Sequence, residues 1–179
     1  MASASAPDRP PVAPVRSFAP LVAPGARVLI LGSMPGQASL TAEAYYAHPQ
    51  NRFWPIMGAV LGFDATLPYA LRCAALTRAG IALWDVLSEC VRPGSLDAAI
   101  EAGSMRTNDI AGLLRAHPGI TRILFNGTAA ESIFRRHVAS TLQGCGSPGL
   151  QRLPSTSPAH ASLGYAEKLA RWREALERA

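Results

Sequence analysis

Four short stretches carry the side chains that could do chemistry. The first is Gly32-Ser33-Met34-Pro35-Gly36. Two glycines and a proline in five residues make a tight turn whose backbone N–H groups another molecule can approach. The second holds Tyr45-Tyr46 and then His48-Pro49-Gln50-Asn51-Arg52-Phe53-Trp54. Tyr46 offers a ring face for stacking, and the Asn51 carboxamide both donates and accepts, so it can hold a water. The third is Asp85, which follows the apolar run Ile81-Ala82-Leu83-Trp84. A carboxyl there accepts hydrogen bonds, or donates one if an apolar pocket keeps it protonated. The fourth is Pro154-Ser155-Thr156-Ser157-Pro158, followed by His160. Hydroxyls on a proline-stiffened loop suit phosphate oxygens. Asn126, just before Gly127, adds an amide at another apolar run's end. Each residue also has an ordinary structural reading: a turn, a core aromatic, a helix cap for Asn51 or Asp85, a plain Ser/Thr loop.

Several chemistries are disfavoured. The Gly32–Gly36 turn is neither a G-x-x-x-x-G-K-[ST] phosphate loop nor a G-x-G-x-x-G, and the chain has no H-E-x-x-H. Cys73, Cys90 and Cys145 are widely separated with no C-x-x-C, so neither zinc nor an iron–sulfur cluster is supported, and they read as reduced thiols of an intracellular protein. An esterase using Ser33 or Ser155 lacks a nucleophile elbow. Lys168 is the only lysine, so a mechanism through an amine nucleophile has one candidate. The 17 Lys and Arg against 12 Asp and Glu give a net charge of +5, which suits a polyanionic partner without demanding one. No apolar run reaches the ~20 residues of a membrane span, and the first residues lack the apolar segment of a signal peptide.

The elements that must position these groups follow from periodicity. With 49% hydrophobic residues over 179, the chain can build one sizeable core. Residues 1–20, rich in Pro and Ala, read as a flexible lead-in, and 21–179 as a single domain. Strands are expected at Arg27–Leu31, Ile81–Trp84, Arg122–Phe125 and Leu150–Leu153; the continuous apolar run Val28–Leu31 is the pattern of a strand buried on both faces. Helices are expected from Ser39, as a cap, to Tyr46 with Glu43 in the first turn. Others are expected at Asn51–Leu61, at Leu67–Ala79, from Asn108 or Asp109 to about His117, at Thr128–Ser140 and at Tyr165–Arg178. Strands alternating with helices imply an α/β fold, a three-layer α/β/α sandwich on a short central parallel sheet. In such sheets ligands bind at the carboxyl ends of the strands. Gly32–Gly36, Asp85, Asn126-Gly127 and Pro154–Ser157 lie there, so four separate loops line one crevice.

Taken together, GSMPG, YYAHPQNRFW, LWDVLSECVRPGSLD, ILFNGTAAE and LPSTSPAH resemble the uracil-DNA glycosylase superfamily, and within it the hypoxanthine-DNA (deoxyinosine) glycosylase branch. HPxNxFW is also similar to the mismatch-specific uracil/thymine branch. The resemblance runs from about Ala23 to the C-terminus. It implies a monofunctional enzyme that flips a deaminated base out of DNA and hydrolyses its N-glycosidic bond with water, using no metal or cofactor. It implies Asn51 as the catalytic residue. Gly32, Ser33, Met34, Tyr46, Asp85 and Asn126 would bind the base. Pro35, Gly36, Ser155, Thr156, Ser157 and His160 would contact the DNA backbone. Leu163 would fill the gap left by the flipped base. Many relatives carry Asp or Asn where this chain has Met34, and classical uracil enzymes carry His where it has Leu153. Those departures shift the polar role to Asn51, argue against high uracil-specific efficiency, and leave open a catalytically silent lesion binder. A uracil or mismatch enzyme of the same fold is the other alternative. The expected partner is DNA containing deaminated bases, met by a monomer in the cytoplasm, with no membrane.

Overall fold

The computed structural model describes residues 12–177. Its centre is the apolar run at β2 (Val28–Gly32), buried along its whole length. It pairs in parallel with β3 (Ile81–Asp85) on one side and β6 (Arg122–Asn126) on the other, and β6 pairs in parallel with β7 (Gly149–Leu153). The sheet order is β3-β2-β6-β7.

Alternation along the strands sorts side chains between two cores. Leu29, Leu31, Ala82, Ile123 and Phe125 face α4 (Ile110–Ala116) and α5 (Thr128–His137), meeting Ile110, Leu113, Ile133 and Phe134. Val28, Ile30, Leu83, Leu124 and Leu153 face α2 (Phe53–Leu61), α3 (Tyr69–Arg78) and α6 (Tyr165–Glu177), meeting Phe53, Ile56, Leu76 and Trp172. Helices on both faces give the expected α/β/α layering.

Local chemistry sets the helix ends. Pro55 is tolerated because it lies in the first turn of α2. Gly62, at φ 77°, closes that helix. Pro68 holds the start of α3 back to Tyr69. Asp109 caps α4, its carboxylate accepting from the Gly112 N–H at 2.8 Å.

Several expectations change. Ser39 does not cap a helix: α1 (Gln37–Ala42) starts earlier, and Ser39 is buried inside it, its Oγ accepting from the Ala47 N–H at 3.2 Å. Glu43 is the left-handed residue that ends α1, not part of its first turn. Asn51 and Arg52 precede α2 rather than opening it. Residues 15–20 are not a free lead-in. Val15–Arg16 forms β1, antiparallel to β4 (Leu87–Cys90), which in turn pairs with β5 (Arg106–Thr107). The Trp84 indole N–H donates to the Phe18 carbonyl at 2.9 Å, and Leu21 bridges to Leu83 along the β3 edge. Residues 1–11 of that lead-in lie outside the described residues.

Candidate active site

The carboxyl ends of β2, β3 and β6 open onto a cavity of about 330 Å³, within the size range of small-ligand pockets. Parallel register places Gly32 opposite Asp85. Glycine is required at 32 for a steric reason. A Cβ there would fall 2.5 Å from Asp85 Oδ1 and 3.1 Å from the Tyr46 hydroxyl. Three chain segments therefore meet at the cavity floor.

Two polar atoms on this floor are buried without a hydrogen-bond partner: Asp85 Oδ2 and the Tyr46 hydroxyl. Burial, then the charge of nearby Asp97, pushes the Asp85 carboxyl up to about 8, against the opposing pull of Arg92. The carboxyl is therefore a proton donor at neutral pH. Burial and then the Asp85 charge hold the Tyr46 phenol above its ordinary value. Tyr46 itself sits at φ 55°, a left-handed conformation that a bulky residue keeps only when its surroundings enforce it. The Ser39–Ala47 bond and the Phe53 ring supply that enforcement. Phe53 stacks on the Tyr46 ring at a centroid distance of 4.1 Å and 24° between planes.

One wall is the 32–36 turn. Its anchor is Arg92, 1% exposed. The guanidinium donates to the carbonyls of Met34 at 3.3 Å and Gly94 at 3.2 Å, and to that of Pro35. Its Nη1 also lies 4.0 Å from Asp97. Asp97 in turn accepts from the Ser33 hydroxyl at 2.7 Å, and the Gln37 N–H donates to Ser95 Oγ at 3.0 Å. The loop around Arg92 is thus fastened across the 32–36 turn.

The other wall is held without ions. Asn126 and Thr156 exchange two 2.9 Å hydrogen bonds, side chain to side chain and Thr156 N–H to Asn126 Oδ1. The Arg52 N–H donates to the Thr156 carbonyl at 3.0 Å. Asn51 Oδ1 accepts from the Phe53 N–H at 2.9 Å, which orients the carboxamide and leaves its NH2 group for a ligand. The Trp172 indole N–H reaches the Pro154 carbonyl at 3.0 Å, tying the loop to α6.

Asn51, Gly32, Ser33, Met34, Tyr46, Asp85 and Asn126 all line the cavity, as do Pro35, Gly36, Ser155 and Ser157. One expectation is corrected: Thr156 is fully buried, so its hydroxyl shapes the wall and does not reach a DNA backbone. His160, expected at the DNA backbone, lies outside this cavity in two neighbouring grooves, as does Leu163. Leu153 belongs to the α2/α6 core, and Met34 packs into the opposite core while its edge lines the cavity. The apolar types at these positions are core residues. The Ser33 hydroxyl donates to the Asp97 carboxylate.

Arg92 and Asp97 were not among the expected site residues. The signal was an arginine in Leu87-Ser88-Glu89-Cys90-Val91-Arg92 continuing from a buried strand. β4 carries a register irregularity between Leu87 and Glu89, so simple alternation does not show that Arg92 turns inward.

A family model described as the uracil DNA glycosylase superfamily matches residues 19–178. Two proteins named hypoxanthine DNA glycosylase are similar. One, from Methanosarcina barkeri strain Fusaro, is 36% identical over 113 residues, which is 63% of this chain and 70% of that protein. The other, from Methanosarcina acetivorans, is 34% identical over 116 residues, 64% and 72% of the two chains. The solution NMR structure of a Methanosarcina acetivorans protein, provisionally assigned as a uracil DNA glycosylase, superposes with a TM-score of 0.74 at 31% identity, covering 92% of this chain and 99% of that one.

Proposed function

The chain belongs to the uracil DNA glycosylase superfamily, and from that membership we propose that it hydrolyses the N-glycosidic bond of hypoxanthine in DNA. The bond is inaccessible in a stacked duplex, so the nucleotide turns out and its base enters the cavity. Tyr46, backed by Phe53, stacks on the base. Neutral Asp85 donates its O–H to a base oxygen while its carbonyl oxygen accepts the adjacent ring N–H.

The observation that carries this reading is the unpartnered pair, Asp85 Oδ2 and the Tyr46 hydroxyl, of two residues that line the cavity. A buried polar group without a partner costs about 1–3 kcal/mol. A planar ligand with a carbonyl beside an N–H satisfies a carboxylic acid on both sides. Hypoxanthine presents that edge. As the bond breaks, the base gains negative charge, and the Asp85 proton stabilises it where it develops. The sugar becomes electron-poor, and a water held by the Asn51 carboxamide attacks its anomeric carbon, the water's proton passing to the departed base anion. Gly36, Ser155 and Ser157 at the rim hold the DNA backbone.

Uracil presents the same carbonyl and N–H pair, which supports a second reading as a uracil enzyme. The names of the two Methanosarcina relatives favour the purine. Duplex oligonucleotides carrying one hypoxanthine or one uracil, incubated with the protein and then treated with alkali, separate the two. Cleavage mainly at hypoxanthine is expected. Cleavage mainly at uracil would move the chain to the other branch. No cleavage at either, with lesion binding kept, would make it a lesion binder.

A further inference from the structure

The cavity is not isolated. Ser157 and Pro158 line it and also line a second groove of about 250 Å³, which takes in Gln50, Arg52, His160 and Lys168. Beyond the ridge of His160 and Leu163 lies a third groove of about 570 Å³, holding Arg152 and Arg171. The two grooves differ in charge balance. In the larger one both arginines are matched: Arg152 lies 3.3 Å from Glu131, and Arg171 lies 2.6 Å from Glu167. In the smaller one, neither Arg52 nor Lys168 has a carboxylate within 4.0 Å among the described residues.

Lys168 is the unusual member. It is 4% exposed, yet its Nζ makes one hydrogen bond, 2.6 Å to the His160 carbonyl. An ammonium has three donors, so donor capacity remains in the groove. Burial first, then the charge of Arg52, lowers its proton affinity, so the two cations repel each other with nothing acidic between them. The Arg52 guanidinium stands 5.8 Å from the centre of the Tyr165 ring, which helps to position it. Two uncompensated cations at one groove, one of them buried, form an anion site rather than a solvated face.

We propose that this groove is a phosphodiester subsite in which Arg52 and Lys168, with Ser157, hold the DNA phosphate beside the nucleotide whose base enters the cavity. The identity of the anion rests on the glycosylase reading. Ser157 is the shared wall, so one nucleotide has its base on one side of it and its phosphate on the other. Lys168 supplies a fixed point charge, and Arg52 a planar fork that grips two oxygens.

Phosphate contacts are blind to sequence and release counterions, so the test is salt dependence. Binding of a duplex with one uncleavable tetrahydrofuran abasic analogue is followed by fluorescence anisotropy over a range of KCl concentrations. R52Q and K168M should each lower the slope of log K against log[KCl] by about 1 and weaken low-salt binding by about tenfold. R52K should restore the slope. R152Q and R171Q, in the matched groove, should leave it unchanged. Wild-type slopes in both R52Q and K168M would overturn the proposal. Arg52 is exposed, so R52Q decides the matter if K168M fails to fold. The binding readout needs no chemistry. A wild-type protein that cleaves no lesion would sink the glycosylase reading while the slopes still judged the subsite.

Discussion

The two walls of the cavity are built from different forces. The 32–36 wall hangs on one buried ion, Arg92, which serves three carbonyls and faces Asp97. The wall of Tyr46, Asn51, Asn126 and the 154–158 loop is neutral, assembled from the paired Asn126–Thr156 bonds and ring stacking. A buried ion shared by several carbonyls is all or nothing, because removing it strands every partner at once. A neutral wall loses its contacts one at a time. Asp85, on the floor between them, has its proton affinity held up by burial and then by the charge of Asp97, and pulled down by Arg92.

Removing the ion should therefore give the largest effect. Arg92→Met is expected to cost about 3–5 kcal/mol of stability, the range for breaking a buried ionic cluster, measured by urea unfolding. Arg92→Lys should rescue little, since one ammonium cannot replace a planar fork across several carbonyls. A loss below about 1 kcal/mol in Arg92→Met would mean the wall does not depend on the charge. On the neutral wall, Asn51→Ala should instead separate function from stability. Single-turnover cleavage of a hypoxanthine duplex should fall about 10²–10³-fold, the scale for losing a placed polar group at the reacting centre. Stability should fall by only about 1 kcal/mol from the lost bond to Phe53. Unchanged turnover would remove Asn51 from catalysis.

The floor answers to pH. The Asp85 carboxyl has an ordinary value of 3.8 and is pushed up to about 8 in the fold. Across that window the native state holds a proton that the unfolded chain has released. Stability therefore falls as pH rises from about 4 to about 8, then levels off. Cleavage should also decline above about pH 8, by about tenfold per unit, as the donor is lost. Asp85→Asn stays neutral, so both declines should flatten. A variant that keeps the wild-type alkaline limb would assign that limb to another group.

The two walls were not equally legible in the sequence. The parallel strands were visible because a continuous apolar run as short as Val28–Leu31, stopped by Gly32 and Pro35, suits a strand covered on both faces better than a helix. Residues at the strand ends, Gly32, Asp85 and Asn126, followed from that alone. Asn51 and Tyr46 stood out by type. The ionic wall was hidden because it depends on the small antiparallel sheet, whose strands Val15–Arg16 and Arg106–Thr107 are too short to show a period. That sheet orders residues 15–18 and sets the direction of the segment that carries Arg92. Thr156 was misread for a related reason: a threonine in a Ser/Thr loop looks solvent-facing until its partner Asn126 is known to lie across the register.

The smallest effect should come from the finest change on the neutral wall. Tyr46→Phe deletes one hydroxyl, and that hydroxyl has no hydrogen-bond partner. Removing an unsatisfied buried group relieves a desolvation cost, so stability should hold or rise by up to about 1 kcal/mol. The stacked ring and its Phe53 backing remain. If the hydroxyl completes the polar floor beneath a bound base, then cleavage should fall by a few-fold while the unfolding midpoint does not fall. Parallel losses in stability and cleavage would show that the hydroxyl supports the fold. No change in either would leave Asp85 as the sole polar contact on the floor. The opposite signs expected here, and not at Arg92, are what distinguish a wall made for a ligand from one made for the protein.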